Sequence, residues 1–132
     1  MTLDTSAVVA IIRGEPEKSE FVSLLEQSTR RLISAVSVLE AAMVLEAPKG
    51  DEASHILDSF LRKASVQIVP FDHEQLIEAR AAFRRFGKGR HPAGLNFGDC
   101  ASYALAQCSN EPLLFKGTDF SATDVPQVPR SA

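Results

Sequence analysis

The sequence predicts an α/β domain in which helices cover both faces of a central, mostly parallel β-sheet, a three-layer α/β/α arrangement. First, segments with strand and helix patterns alternate along the whole chain, with no internal repeat and no low-complexity tract. Second, the strand segments are short and continuously apolar, which is typical of strands buried on both faces. Third, 132 residues can build one domain with a substantial core but are too few for two. We therefore expect a single domain over 1–132, with an irregular tail at 126–132.

The first half of the chain is predicted to contain two strands and four helices. The strands are expected at 2–4 and 31–34, where short apolar runs occur. In the second predicted helix, Phe21, Leu24 and Leu25 lie at the three-to-four-residue spacing of a helix face. We expect Pro48 and Gly50 to end the third helix. The four helices are predicted at 5–12, 17–28, 35–47 and 51–64.

The second half continues the alternation with two more strands and two more helices. A strand is predicted at 66–69, before Pro70, and another at 112–115. Asp72 and Gln75 have the spacing of a capping box, which predicts a helix over 72–86. After the loop "GKGRHPAGL", Asn96 is a suitable N-cap for a further helix.

Composition and charge exclude several classes of protein. Hydrophobic residues make up 45% of the chain and charged residues 23%, as in ordinary globular proteins. No apolar run approaches the roughly 20 residues of a membrane span, and no signal-peptide pattern is present. We therefore expect a cytoplasmic protein without membrane contact. The net charge of −3 does not indicate nucleic-acid binding by the chain as a whole.

Acidic residues follow the first and the last predicted strands. Asp4 comes directly after the first strand, and Asp119 follows the last one in "LLFKGTDF". Ligands of parallel sheets bind beyond the carboxyl ends of the strands, where the strand order reverses. Each residue also has a structural alternative, since Asp4 could cap the next helix and Asp119 could be an ordinary turn residue.

Two further acids lie on predicted helices. Asp99 falls at the third helical position after Asn96, where a carboxylate caps the helix and meets its dipole. Glu40 is expected on a buried apolar stripe, where its charge would need a cation or an arginine partner. The neighbours of Glu40 on that stripe are Val36, Met43, Val44 and Ala47.

Four acids at one edge of a sheet would require a compensating cation. Two carboxylates about 4 Å apart repel by about 4 kcal/mol at an effective dielectric constant of 20. Oxygen ligands without histidine or thiolate favour Mg²⁺ or Mn²⁺ over zinc, and a metal-bound water can hydrolyse a phosphodiester. The basic run "RAAFRRFGKGRH" at 80–91 contains no acid and could hold phosphates, although a solvated helix face would have the same composition.

Four stretches of the chain resemble the PIN domain, and specifically VapC-type toxins of bacterial toxin–antitoxin pairs. They are "LDTSAVVAII", "SVLEAAMVL", "GKGRHPAGLNFGDCASYALA" and "LLFKGTDFSATDV". They occur in order over nearly the whole chain, and the third followed by "FKGTDF" is highly specific. The resemblance implies a PIN-like α/β/α domain that acts as a Mg²⁺-dependent endoribonuclease, with Mn²⁺ as the alternative ion.

The resemblance also implies roles for individual residues. The catalytic and metal-binding acids fall on Asp4, Glu40, Asp99 and Asp119, with Asp124 as the alternative to Asp119. A supporting hydroxyl falls on Thr5 or Ser6. We expect RNA contacts from the basic run, at Arg84, Arg85, Lys88 and Arg90.

The resemblance further implies a small VapB-type antitoxin as partner, a homodimer and a hetero-oligomer with the antitoxin. The main alternative is an acidic metal-binding or protein-interaction module without nuclease activity. A receiver domain would need an acidic pair after the first strand, whereas Asp4 stands alone there. An aspartyl phosphatase would need an acid at position 6, where the chain has Ser6.

Overall fold

Strands and helices alternate in the computed structural model, which describes residues 1–130 apart from the side chain of Lys49. Each predicted strand and helix is present within these residues, and the α/β fold is confirmed. The first half contains β1 (Thr2–Leu3), α1 (Thr5–Arg13), α2 (Lys18–Gln27), β2 (Leu32–Ser34), α3 (Ala35–Lys49) and α4 (Asp51–Lys63). The second half contains β3 (Gln67–Val69), α5 (His73–Phe86), α6 (Phe97–Ser109) and β4 (Leu113–Leu114).

The four strands form one parallel sheet in the order β3-β2-β1-β4. Leu3 of β1 is in register with Ile33 on one side and with Leu114 on the other. The chain adds strands in one direction from β1 to β3 and then returns to the other side of β1 for β4. The strand order therefore reverses between β1 and β4, and ligands of parallel sheets bind beyond the carboxyl ends at such a reversal.

Two apolar cores lie on opposite faces of this sheet. The first is built around Leu3, Phe21 and Leu57 and packs α1, α2, α3 and α4. The second is built around Phe86 and Leu113 and packs α5, α6 and the segment after β4. Leu113 of β4 belongs to the second core and Leu114 to the first, so this strand is buried on both faces, as its continuous apolar run predicts. The edge strand β3 departs from that expectation, because Gln67 is exposed and Ile68 is 48% exposed.

Pro48 does not end α3, contrary to the sequence-based expectation. The helix continues to Lys49, and Gly50, with a positive φ of 68°, separates it from α4. A proline inside a helix has no N–H to donate to the carbonyl four residues earlier, which here is Val44. The guanidinium of Arg13 donates a hydrogen bond to that oxygen at 3.3 Å. The freed acceptor is thus satisfied, and the last turn of α3 is retained.

The segment that begins at Pro126 lies beside β4. The N–H of Leu113 donates to the Pro126 carbonyl at 2.8 Å, and the N–H of Val128 donates to the Leu113 carbonyl at 3.0 Å. Val128 is buried in the first core. The segment thus forms an isolated bridge rather than a strand, and positions 131–132 of the predicted tail lie outside the described residues. Within 1–130, no helix is both long and apolar enough to span a bilayer.

Candidate active site

Asp4 stands at the carboxyl end of β1 and is held by three hydrogen bonds. It is the N-cap of α1, because its Oδ2 accepts from the N–H of Ser6 at 3.0 Å. The same oxygen accepts from the Ser6 hydroxyl at 2.6 Å, and Oδ1 accepts from the Ser102 hydroxyl at 2.6 Å. The side chain is buried. Asp4 therefore caps a helix, as the structural alternative proposed, and presents a fixed carboxylate at the point where the strand order reverses.

Asp99 caps α6 in a complete capping box. Its N–H donates to the side-chain oxygen of Asn96 at 2.9 Å, and its Oδ2 accepts from the N–H of Asn96 at 3.1 Å. Its Oδ1 accepts no hydrogen bond from residues 1–130. Burial raises the pKa of Asp99 to about 7, the hydrogen bond from Asn96 lowers it, and the charges of three nearby acids raise it further. Those acids are Asp4, Asp119 and Glu40.

Glu40 lies against the backbone of α6 at Gly98. A β-carbon at position 98 would clash with the carboxylate of Glu40, which would have to move to another position. Within residues 1–130, Glu40 makes no ion pair and no hydrogen bond, which removes the predicted alternative of an arginine partner in this part of the chain. The carboxylate is therefore free of competing partners within these residues.

The buried stripe predicted around Glu40 is wrong. Met43 and Val44 are 64% and 39% exposed, whereas Ser37, Ala41 and Leu45 form the buried side of α3. Helix α3 carries apolar residues on all of its sides, so the sequence pattern does not show which side packs against the core. Glu40 is half-buried at the boundary between the two sides.

Asp119 lies in the loop after β4 and is exposed. It is one of the acids whose charge raises the pKa of Asp99, whereas Asp124 is not. Asp124 instead accepts a hydrogen bond from the hydroxyl of Tyr103 at 2.6 Å and pairs with Arg85 at 3.0 Å. The Tyr103 hydrogen bond is the main cause that lowers the pKa of Asp124. The geometry thus favours Asp119 over Asp124 as the fourth acid.

Sequence reasoning missed the buried serines behind Asp4. The hydroxyl of Ser102 donates to Asp4 and lies 3.1 Å from the hydroxyl of Ser37. Both serines are fully buried. Of the two predicted supporting hydroxyls, Ser6 contacts Asp4, whereas Thr5 donates to the carbonyl of Ser37 at 3.2 Å. The signal that could have revealed Ser102 is its position, a polar residue three positions after Asp99 in a largely apolar helix.

The predicted basic run lies on α5 and the loop that follows it, and its charged residues are exposed. Arg85 pairs with Asp124, and the guanidinium of Arg90 lies 5.3 Å from the centre of the Phe83 ring. Arg84 and Lys88 make no ion pair within residues 1–130. Part of the run is therefore engaged with the protein, and part remains available for a ligand.

We call four acids the acidic cluster: Asp4, Glu40, Asp99 and Asp119. They offer only oxygen donors, which suit Mg²⁺ or Mn²⁺. None of their carboxylates pairs with a lysine or arginine within residues 1–130. No group of three or more histidine, cysteine, aspartate or glutamate side chains in this part of the chain forms a ready-made metal cage. Like charges repel one another in the absence of a cation, so the donor chemistry fits a hard divalent ion that would draw them together.

Comparison with known proteins gives consistent matches over nearly the whole chain. The family model described as PIN domain matches residues 1–126. Ribonuclease VapC30 of Mycobacterium tuberculosis is 48% identical over 128 residues, which cover 97% of this chain and 98% of that protein. Ribonuclease VapC of Mycolicibacterium smegmatis is also 48% identical over 128 residues, covering 97% of this chain and 99% of the relative.

Solved structures share the fold at lower sequence identity. Mycobacterium tuberculosis VapC20, described as a sarcin-ricin loop cleaving toxin, aligns with a TM-score of 0.78 at 19% identity over 98% of both chains. VapBC2 from Rickettsia felis, bound to a DNA fragment from its promoter, aligns with a TM-score of 0.74 at 18% identity. That alignment covers 97% of this chain and 96% of the other. At these identities, the likeness supports the fold alone.

Proposed function

This chain belongs to the PIN domain family, and we propose that it is the toxin of a type II toxin–antitoxin pair, a Mg²⁺-dependent endoribonuclease. Its relatives at 48% identity are named ribonucleases and match 97% of this chain. RNA phosphodiester bonds are the proposed substrate, and Mn²⁺ is the alternative ion. We also propose that 1–132 form a single domain and act in the cytoplasm, where RNA is available.

One observation carries this proposal: Asp99 lies near three acids from three other chain segments, and none of the four carboxylates has a lysine or arginine partner in the described residues. Their charges raise the pKa of Asp99, in addition to the effect of burial. Such an arrangement costs free energy without a cation and gains it with one. A fold that keeps these acids together is therefore suited to binding a divalent ion.

The residues of the acidic cluster divide into fixed and free groups, which suggests their roles. Asp4 and Asp99 are fixed by hydrogen bonds, and each retains lone-pair capacity for a metal. Glu40 and Asp119 accept no hydrogen bond from residues 1–130 and could orient the attacking water or accept its proton. A bound Mg²⁺ would supply an activated water and stabilise charge on the phosphate.

The exposed cations on α5 and the following loop are proposed to contact the RNA backbone. Arg84 and Lys88 have no ionic partner in the described residues, so they would break no ion pair on binding phosphate. Arg85 and Arg90 would first have to leave Asp124 and the Phe83 ring. Phosphate contacts position a strand but do not select bases.

The proposed partners are a small VapB-type antitoxin, whose C-terminal segment would block the acidic cluster, and a second copy of this chain. Similar folds include a toxin–antitoxin complex from Klebsiella pneumoniae. We propose a homodimer that binds antitoxin as a hetero-oligomer.

Incubation of the purified chain with total RNA tests the function. We expect cleavage with Mg²⁺ or Mn²⁺, none in EDTA, and none with the Asp99→Asn variant. The matched control is Asp58→Asn, which removes an exposed carboxylate on α4 outside the acidic cluster and should cleave like the wild type. Metal binding without cleavage would favour the alternative function, an acidic binding module.

A further inference from the structure

Helices α3, α5 and α6 leave an open groove of about 520 Å³ beside the acidic cluster. Cavities of roughly 300–1,000 Å³ commonly hold small ligands. We call it the aromatic groove, because three phenylalanines line it: Phe71, Phe83 and Phe97.

The rings of the aromatic groove are accessible from solvent. Phe97, the first residue of α6, is 83% exposed, and Phe83 is 40% exposed. Within residues 1–130, none of the three stacks on another aromatic ring. Exposing a large apolar ring is unfavourable in water, and a cluster of such rings is typical of a binding surface. Phe71 is half-buried, whereas the ring of Phe97 is open to solvent and can receive a planar ligand.

The same groove carries positive charge. Arg80 and Arg84 line it next to the rings, and no acidic side chain does. Arg90 lies over the Phe83 ring at its margin. Aromatic rings for stacking next to arginines for phosphate are the combination by which proteins bind unpaired nucleotides. The two guanidinium groups favour an anionic occupant over a purely apolar protein segment.

The groove and the acidic cluster share two helices. On α6, Phe97 and Cys100 line the groove, and Asp99 belongs to the acidic cluster on another side of the same helix. On α3, Val36 lines the groove, and Glu40 lies one turn further along. Residues four positions apart on a helix are neighbours on its surface. A nucleotide in the groove would thus place its neighbouring phosphate close to the acids.

We propose that the aromatic groove binds an unpaired nucleobase of the RNA substrate, by stacking on Phe97, next to the phosphodiester that is cut. This inference rests on the proposed nuclease function and adds to it a binding site for one base of the strand, with Phe97 as the stacking residue. A fully paired strand keeps its bases stacked inside the duplex and cannot enter the groove without unpairing.

Fluorescence anisotropy in EDTA, which prevents cleavage, tests the proposal. The probes are a short single-stranded oligoribonucleotide of mixed sequence and the same strand in a duplex, at one fixed salt concentration. We expect the Phe97→Leu variant to bind the single strand about 5- to 100-fold more weakly and the duplex unchanged, because leucine is apolar but offers no ring to stack on. Phe97→Tyr, which keeps the ring, should bind like the wild type. So should Ile77→Ala, which removes an exposed apolar side chain of α5 outside the groove.

The proposal is overturned if wild type and Phe97→Leu bind the single strand equally. It is also overturned if the substitution changes only self-association in light scattering, since the groove would then be a contact between copies. Folding is not at risk, because Phe97 is almost fully exposed. Cleavage of total RNA by the wild type with Mn²⁺ is measured in parallel. If the wild type cleaves and Phe97→Leu binds unchanged, the nuclease function stands and only the groove assignment fails.

Discussion

At the scale of single residues, Asp99 shows that capping and chemistry do not exclude each other. One of its oxygens completes a capping box with Asn96, and the other is free of hydrogen bonds from residues 1–130. The N-terminus of a helix carries partial positive charge, which favours an ionised carboxylate there. Burial and the other acids oppose ionisation more strongly and raise its pKa to about 7.

This raised pKa predicts how stability depends on pH in the metal-free protein. Between about pH 4 and pH 7, the folded chain holds a proton on Asp99 that the unfolded chain has released. This contribution to stability is therefore present at low pH and is lost as the pH rises to about 7, by at most about 1.4 kcal/mol per pH unit. Denaturant unfolding in EDTA should show this slope for the wild type but not for Asp99→Asn. Equal slopes would contradict the assignment.

Gly98 provides a second prediction at the residue scale. In the Gly98→Ala variant, the added methyl group displaces the flexible carboxylate of Glu40, whereas the helix itself gains about 1 kcal/mol from alanine. We expect RNA cleavage to fall about 10- to 100-fold with no loss in melting temperature. The double variant with Glu40→Ala should be no less active than Glu40→Ala alone, because both changes remove the same group. Additive losses would mean that the methyl group acts elsewhere.

At the scale of secondary-structure elements, two helix N-termini converge on the acidic cluster. Asp4 caps α1 and Asp99 lies in the first turn of α6, so each carboxylate has a fixed position relative to a rigid element. The loop after β4 is held differently. Its Asp124 is bound to Tyr103 on α6 and to Arg85 on α5. These two contacts anchor the loop that carries Asp119.

The two anchors of this loop are predicted to differ in strength. Tyr103→Phe removes a hydrogen bond from a buried hydroxyl to a carboxylate and should cost about 1–2 kcal/mol of unfolding free energy. Arg85→Ala removes a surface ion pair and should cost less than about 1 kcal/mol. Both values can be read from urea denaturation. An equal or larger loss for Arg85→Ala would show that the ion pair is the main anchor.

At the scale of the whole molecule, metal binding is expected to be coupled to folding. The acids of the cluster come from four segments of the chain, and only the folded protein brings them together. A ligand that binds only the folded state at 100 times its dissociation constant adds about 2.7 kcal/mol to stability. Mg²⁺ or Mn²⁺ should therefore raise the melting temperature of the wild type.

Two variants test this coupling. Asp4→Asn removes a fixed carboxylate of the acidic cluster and should abolish most of the metal-induced rise in melting temperature. Asp58→Asn lies outside the cluster and should keep the full rise. A rise of the same size in both variants would indicate that the ion binds somewhere else.

Local sequence patterns were sufficient to predict the fold. Continuous apolar runs predicted the strands and three-to-four spacing predicted the helices, since each pattern reflects the period of one element. The expected burial on both faces is wrong for the edge strand β3, which is largely exposed. The capping residues Asp4, Asp72 and Asn96 predicted three helix starts, because capping involves only neighbouring residues. The resemblance of four stretches to the PIN domain predicted the family.

Only the tertiary structure decided how these elements serve one site. The exposed side of α3 could not be read from a helix that has apolar residues on all sides. The carbonyl of Val44, which Pro48 leaves without its helical donor, is bound by Arg13 from another helix. The hydrogen bond from Ser102 to Asp4 joins residues far apart in the chain. The choice between Asp119 and Asp124 likewise depends on where Tyr103 lies. These features depend on contacts between distant segments, which no periodic pattern in the sequence encodes.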